Sequence, residues 1–186
     1  CCTGLKERSL CKIGARVGAD VPFCLLGGTM LAEGSGEILS QMPSLGENDG
    51  CFVLVKPMEG ISTSDAYRLA DSVSLDFHPD TSAAVEALCR RDIRGIAGAM
   101  ENSFERVYHK ANHTLVDVER IDAIKEKMLQ NGALGACMTG SGTTVFGFFD
   151  RKETALACEA VLGKYFENVF FCTPVPKGCE LETLEE

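Results

Sequence analysis

Residues 134–149 constrain the fold more than any other stretch. Leu134–Met138 and Thr144–Phe149 read as two apolar strands, and Thr139-Gly140-Ser141-Gly142 turns the chain between them. A connection that short reads as a β-hairpin. Upstream, Cys51-Phe52-Val53-Leu54-Val55 is a continuous apolar run stopped by Lys56-Pro57, the pattern of a buried strand. Asn168–Cys172 reads as a last strand. Between these strands the pattern turns helical. Ser62–Tyr67 is a polar turn entering a helix, and Thr81 caps a second helix carrying Val85 and Leu88. Residues 92–109 are helical with interruptions at Gly95 and Gly98. The clearest helix is 113–130, where Leu115, Val118, Ile121, Ile124 and Met128 form one stripe and Gly132 follows the end. Residues 151–163 make an amphipathic helix through Leu156, Ala160 and Val161. From residue 51 onward the order is strand, helices, strand, strand, helix, strand. That predicts an α/β chain of the α+β kind with a ferredoxin-like βαββαβ core and extra helices in its first crossover.

The first 47 residues are a different matter. Leu10, Ile13 and Val17 are spaced for a helix over 5–17, closed by Gly18. The next stretch, Gly18-Ala19-Asp20-Val21-Pro22-Phe23, predicts an aspartate N-cap with proline in the first turn, where its missing N–H costs nothing. Gly27 and Gly28 stop that short helix. Thr29–Ala32 and Glu37–Leu39 read as short strands around Gly34-Ser35-Gly36. The polar stretch Ser44–Gly50 then divides the chain into 1–47 and 48–186. Residues 1–47 are too few elements for a domain and read as the end of one. The chain opens at Cys1 with neither an initiator methionine nor a signal peptide, so a piece of a longer protein is expected. Its acidic tail beyond Pro176 is expected to fray.

Charge narrows the partners. A net charge of −9 opposes attraction to nucleic acid or to an anionic membrane. An anionic ligand therefore needs local donors, such as backbone N–H groups, or Mg²⁺. No apolar run has the length to span a bilayer. Among the ten cysteines, Cys24, Cys51, Cys89, Cys137 and Cys158 lie in apolar segments, where cysteine acts as a small hydrophobe. There is no C-x-x-C pair and there are three histidines, which argues against a zinc site. A reduced, cytoplasmic protein is the resulting expectation.

Two places can carry chemistry. Asp20 is a carboxylate held at an element boundary, which suits a cap or a catalytic acid alike. The Thr139–Gly142 turn surrounds two glycines with hydroxyls, and successive N–H groups in such a turn can form an anion-binding nest. A plain hairpin turn is the other reading. The turn is not a Walker loop, because no Lys-Ser/Thr pair follows the glycines.

Both places lie in longer stretches that carry a resemblance. One runs from Val17 to Thr29 (VGADVPFCLLGGT) and continues as Ala32-Glu33-Gly34-Ser35-Gly36-Glu37; the other runs from Gly132 to Gly147 (GALGACMTGSGTTVFG). Together they resemble the 4-diphosphocytidyl-2-C-methyl-D-erythritol kinases of the GHMP kinase superfamily, as the last two-thirds of such an enzyme. The resemblance implies ATP-dependent phosphorylation of a methylerythritol hydroxyl, with Mg²⁺, in isoprenoid biosynthesis. It implies that residues 1–47 are the end of the nucleotide-binding domain and 48–186 the C-terminal domain. It gives Asp20 the part of the catalytic aspartate, which accepts or orients the hydroxyl proton. It places Thr63 and Tyr67 against the cytidine, where a ring can stack on a pyrimidine and a hydroxyl can bond its edge. Gly140, Ser141 and Gly142 then support the active site. Asn102 resembles a family asparagine near the cleft, with a cap or solvent role equally open.

This sequence departs from the family by lacking the lysine partner of the aspartate and the G-G-G-S-S nucleotide loop. The 186-residue piece alone is therefore expected to be inactive. The alternatives are a non-catalytic cytidine-nucleotide-binding or interaction module, or another GHMP small-molecule kinase. The expected partner is a small cytidine diphosphate substrate, and a homo-oligomer through an exposed domain interface is a further expectation.

Overall fold

The computed structural model describes residues 6–46, 48–57, 60–111 and 115–179. It divides into two compact units, Cys1–Asn48 with Pro174–Glu186, and Asp49–Thr173. The break between them falls inside the polar Ser44–Gly50 stretch. The far end of the expected 48–186 segment differs, because residues from Pro174 onward group with the first unit.

The first unit contains α1 (Glu7–Gly14), α2 (Val21–Leu26) and an antiparallel hairpin of β1 (Met30–Glu33) and β2 (Ile38–Gln41). The helix expected over 5–17 is shorter, and its stripe is not its packing face. Leu10, Ile13 and Val17 are exposed, Val17 at 81%. Gly14 is the buried residue of α1, and a Cβ there would come within 2.7 Å of Val21 Cγ1. Absence of a side chain lets α1 and α2 approach closely, which places the Leu10–Val17 stripe elsewhere. Gly27 ends α2 with φ +67°. It also lies against the returning tail, where Gly178 N–H donates to the Leu26 carbonyl at 3.3 Å. A Cβ on Gly27 would fall 1.9 Å from Gly178 N, so only glycine permits this crossing. The expected fraying beyond Pro176 does not hold at Gly178; residues 180–186 lie outside the described residues.

The second unit contains β3 (Cys51–Val55), α3 (Thr63–Ser72), α4 (Thr81–Arg90), α5 (Ile93–Gly98), α6 (Ser103–Ala111), α7 (Val118–Gln130), β4 (Gly135–Met138), β5 (Val145–Phe149), α8 (Lys152–Leu162) and β6 (Val169–Cys172). Its strands form one antiparallel sheet in the order β4-β5-β3-β6. This is the ferredoxin-like arrangement that the element order predicts. Cys51, Val53 and Val55 alternate onto one face, opposite Phe149, Gly147 and Val145. They share a core with Ile121, Ile124 and Met128 from α7 and with Ala155, Cys158 and Leu162 from α8. Each of the valine, isoleucine, leucine and methionine side chains among them stabilises the fold by about 1.5–3 kcal/mol on burial.

Several local expectations shift. Asp80, not Thr81, caps α4, its Oδ1 accepting from Ala83 N–H at 3.0 Å. The 92–109 segment splits into α5 and α6, and α5 ends at Gly98. The long helix starts at Val118 behind an Asp117 cap, leaving Leu115 exposed; residues 112–114 lie outside the described residues. Gly132 follows its end at φ +93°. On α8 the buried face is Ala155, Cys158 and Leu162, whereas Leu156 and Ala160 are exposed. Periodicity identified the helix but not which face the sheet would cover. Cys51, Cys137 and Cys158 are buried as expected, but Cys24 and Cys89 lie on the exposed sides of their helices.

Candidate active site

Asp20 stands just before α2 with φ −82° and ψ −14°, and its side chain makes no cap hydrogen bond. The expected capping role is thereby corrected. A capping side chain depends on an extended backbone that aims its oxygen at the first free amides. Asp20 already has helical dihedrals, so its exposed carboxylate is carried away from them. It faces the β1–β2 turn instead, where a Cβ built on Gly36 would lie 3.7 Å from Asp20 Oδ1. Gly36 has φ +110°, a conformation glycine adopts without steric cost.

In the second unit the loop between β4 and β5 is closed by two of its own bonds. Thr139 N–H donates to the Thr144 carbonyl at 2.8 Å, and Gly142 N–H to the Thr139 carbonyl at 3.0 Å. Further support comes from α6 and the residue just before it. Asn102 Nδ2 donates to the Met138 carbonyl at 2.7 Å and to the Gly140 carbonyl at 2.9 Å. The same amide caps α6, its Oδ1 accepting from Phe104 N–H at 2.8 Å. Asn102 therefore serves as both cap and loop support, not as a solvent-facing residue. Tyr108 Oη donates to the Ser141 carbonyl at 2.5 Å from a ring that is 1% exposed. Burial pushes its phenol up to about 12, so it is a hydrogen-bond donor across the physiological range. Glu105 Oε1 accepts from Met138 N–H at 2.6 Å, and its Oε2 pairs with Lys125 on α7. Behind them the Cys137 thiol is pushed up to about 12, first by burial and then by the Glu105 charge. A thiol held that far up is a poor nucleophile.

Tyr67 lies on α3 with its ring 59% exposed. Thr63 opens the same helix one residue after the Ser62 cap, which accepts from Asp65 N–H at 3.1 Å. Four residues apart, Thr63 and Tyr67 share a helix face. Tyr67 meets Phe104 edge to face, and Phe104 stacks on Tyr108 with centroids 6.0 Å apart. An unbroken run of side chains thus leads from Tyr67 to the Ser141 carbonyl. At its other end the loop contributes Thr143 to a cavity of about 240 Å³, lined also by Pro57, Leu115, Val116, Asp117 and Arg120. The fold therefore gathers Thr63, Tyr67 and Gly140–Gly142 in one unit, with Asp20 in the other. Glu105, Tyr108 and Lys125 were not foreseen as functional. The signal was present as Asn102-x-x-Glu105-x-x-Tyr108, three polar groups at a spacing close to one helical turn.

Among the described residues no three His, Cys, Asp or Glu side chains converge as a metal site, and no helix is long and apolar enough to cross a membrane. Residues 84–168 match the family model described as GHMP kinases C terminal. The chain is 39% identical over 166 residues to a 4-diphosphocytidyl-2-C-methyl-D-erythritol kinase from Clostridium novyi (strain NT), covering 89% of this chain and 56% of the relative. It thus spans a little over half the length of that relative. Among solved structures it superposes on a homoserine kinase from Cytophaga hutchinsonii with a TM-score of 0.74 at 19% identity, over 95% of this chain and 61% of the other. It also superposes on a 4-(cytidine 5′-diphospho)-2C-methyl-D-erythritol kinase with a TM-score of 0.68 at 24% identity, over 92% and 58%. At those identities the two structures establish the fold alone.

Proposed function

We propose that the chain belongs to the GHMP kinase family and that the protein transfers the terminal phosphoryl group of ATP to a methylerythritol hydroxyl of 4-diphosphocytidyl-2-C-methyl-D-erythritol. The described residues supply the acceptor side. Phosphoryl transfer depends on holding the hydroxyl in line and on neutralising charge, more than on covalent participation by the protein. Asp20 suits the first requirement, being an exposed carboxylate, free of cap duty, that accepts or orients the hydroxyl proton. The largely exposed Tyr67 ring suits a pyrimidine, with Thr63 on the same helix face to bond its edge.

The donor set also bears on Mg²⁺. A magnesium ion held mainly by nucleotide phosphates needs only one or two protein carboxylates. Asp20 is the residue that would offer one, and the ion would offset phosphate charge. The reading takes a cytoplasmic location as its corollary, since both substrates are small, charged metabolites.

One observation carries the reading: the Tyr67–Phe104–Tyr108 run joins a surface suited to a nucleobase with the glycine loop, on a chain of this kinship. The test is transfer of label from γ-labelled ATP by the protein encoded in the complete reading frame. The cytidylated methylerythritol should be phosphorylated, with homoserine and mevalonate left unlabelled. Label on either of those two in place of the cytidylated acceptor would reject the assignment.

A further inference from the structure

The loop between β4 and β5 is held unevenly. The carbonyls of Met138, Gly140 and Ser141 are all engaged, by Asn102 and Tyr108. Its amides are engaged only in part. Thr139 and Gly142 N–H close the turn, while among the described residues the N–H groups of Gly140 and Ser141 find no acceptor. A Cβ on Gly140 would meet no atom within 4 Å, so the space in front of it is open. Two successive amides without an acceptor, beside open space at Gly140 and with their neighbouring carbonyls fixed, can form a cradle for an anion. The orientation is imposed from outside the loop. Tyr108 is fixed by burial and by its stack on Phe104, and Asn102 by its bond to Phe104 N–H.

We propose that Tyr108 and Asn102 are positioning residues: by taking the loop's carbonyls they aim the Gly140 and Ser141 amides at a phosphoryl oxygen. The clamp follows from these contacts; only the identity of the anion, a phosphate or diphosphate group, rests on the kinase reading. Neither side chain touches the anion. The loop acts as a preorganised donor pair, whose value depends on not having to reorient when charge arrives.

The test uses the ¹⁵N-labelled 186-residue chain, titrated with inorganic pyrophosphate and followed at the Gly140 and Ser141 amides. Saturable shifts at both are expected. Tyr108→Phe keeps the ring and its stack and removes only the hydroxyl, and should weaken pyrophosphate binding by about five- to tenfold. Asn102→Asp keeps the α6 cap and removes both donors to the loop, and should weaken it further. Pyrophosphate that leaves the two amides unmoved in the native chain would overturn the proposal. So would a folded Tyr108→Phe chain with unchanged affinity, because a merely structural tyrosine would lower the melting temperature and spare the binding. The kinase reading fails separately: clamp-dependent pyrophosphate binding, with no transfer to the cytidylated acceptor by the complete protein, removes that reading and leaves the clamp in place.

Discussion

Tyr67 and Phe104 meet edge to face, their ring centroids 5.2 Å apart and their planes at 87°. The contact holds one side of the Tyr67 ring and leaves most of the side chain in solvent. A base stacked on such a platform gains about 1–3 kcal/mol. Tyr67→Ala should therefore weaken cytidine diphosphate binding by about tenfold or more, while Tyr67→Phe should bind nearly as the native protein does. Titration calorimetry on the three proteins reads this directly. Equal affinity for the alanine variant would remove Tyr67 from the nucleobase site.

Asp20→Asn offers a cleaner separation of chemistry from stability than most catalytic substitutions. The native carboxylate makes no cap bond that the amide would have to replace. We expect turnover by the complete protein to fall by about three orders of magnitude, within the range general-base removal costs. The melting temperature should move by no more than a degree or two. Turnover within a few-fold of native would assign Asp20 to structure.

Lys125 answers a charge that is largely withdrawn from water. Glu105 is spent on Met138 N–H and on Lys125, with side-chain exposures of 12% for the glutamate and 23% for the lysine. Lys125→Met leaves that carboxylate without its counter-charge, a change that costs about 3–5 kcal/mol in comparable buried pairs. Urea unfolding at pH 7 should show a loss of that size, and the loop resonances of Gly140–Gly142 should broaden or move. A loss below about 1 kcal/mol would mean the pair behaves as a surface one.

The buried thiols set an alkaline limit. Burial pushes Cys137 up to about 12 and Cys158 up to about 11 from an ordinary value of 9.0. Between those values the unfolded chain has lost protons that the folded chain retains. Stability from these groups is thus complete below about pH 9 and falls as pH rises toward 11–12. The urea midpoint should be lower at pH 10 than at pH 8. Under native conditions a thiol reagent should label exposed Cys24, Cys89 and Cys179 well before Cys51, Cys137 and Cys158. Rapid labelling of Cys137 in the folded protein would contradict its placement.

Gly27→Ala examines the tail. The added methyl would meet Gly178 N at 1.9 Å, so the segment carrying Lys177 must move away from α2. Limited trypsin digestion should then cut after Lys177 several-fold faster than in the native chain, and an unchanged cleavage rate would show that the crossing is not needed to hold the tail.

Much of this architecture was legible along the chain because the relevant forces are local or periodic. The hairpin at 134–149 follows from two apolar runs and a turn too short for anything else. The ferredoxin-like order follows from counting elements after residue 51. What could not be read were relationships between elements. The exposed face of α1 and the true buried face of α8 depend on which neighbour arrives, and side chains of similar apolar character occupied both faces. Asp20 is instructive: its sequence context is that of a cap, yet a change in its own backbone dihedrals redirects the carboxylate. Asn102 allowed a cap, a solvent role or a place near the cleft, and the fold uses it as a cap and as a support for the loop, with two donors and one acceptor.

The amino-acid order by itself determined the element types, the sheet's hairpin and the identity of the chemically able groups, because turns, caps and apolar spacing act over a few residues. Only the tertiary structure decided that α6 would grip the loop's carbonyls, that Tyr67 would lean on Phe104, and that residue 178 would return to residue 27. Those contacts join positions from 33 to 151 residues apart. No local pattern encodes them; they exist because burial of the whole core leaves each side chain a single place to go.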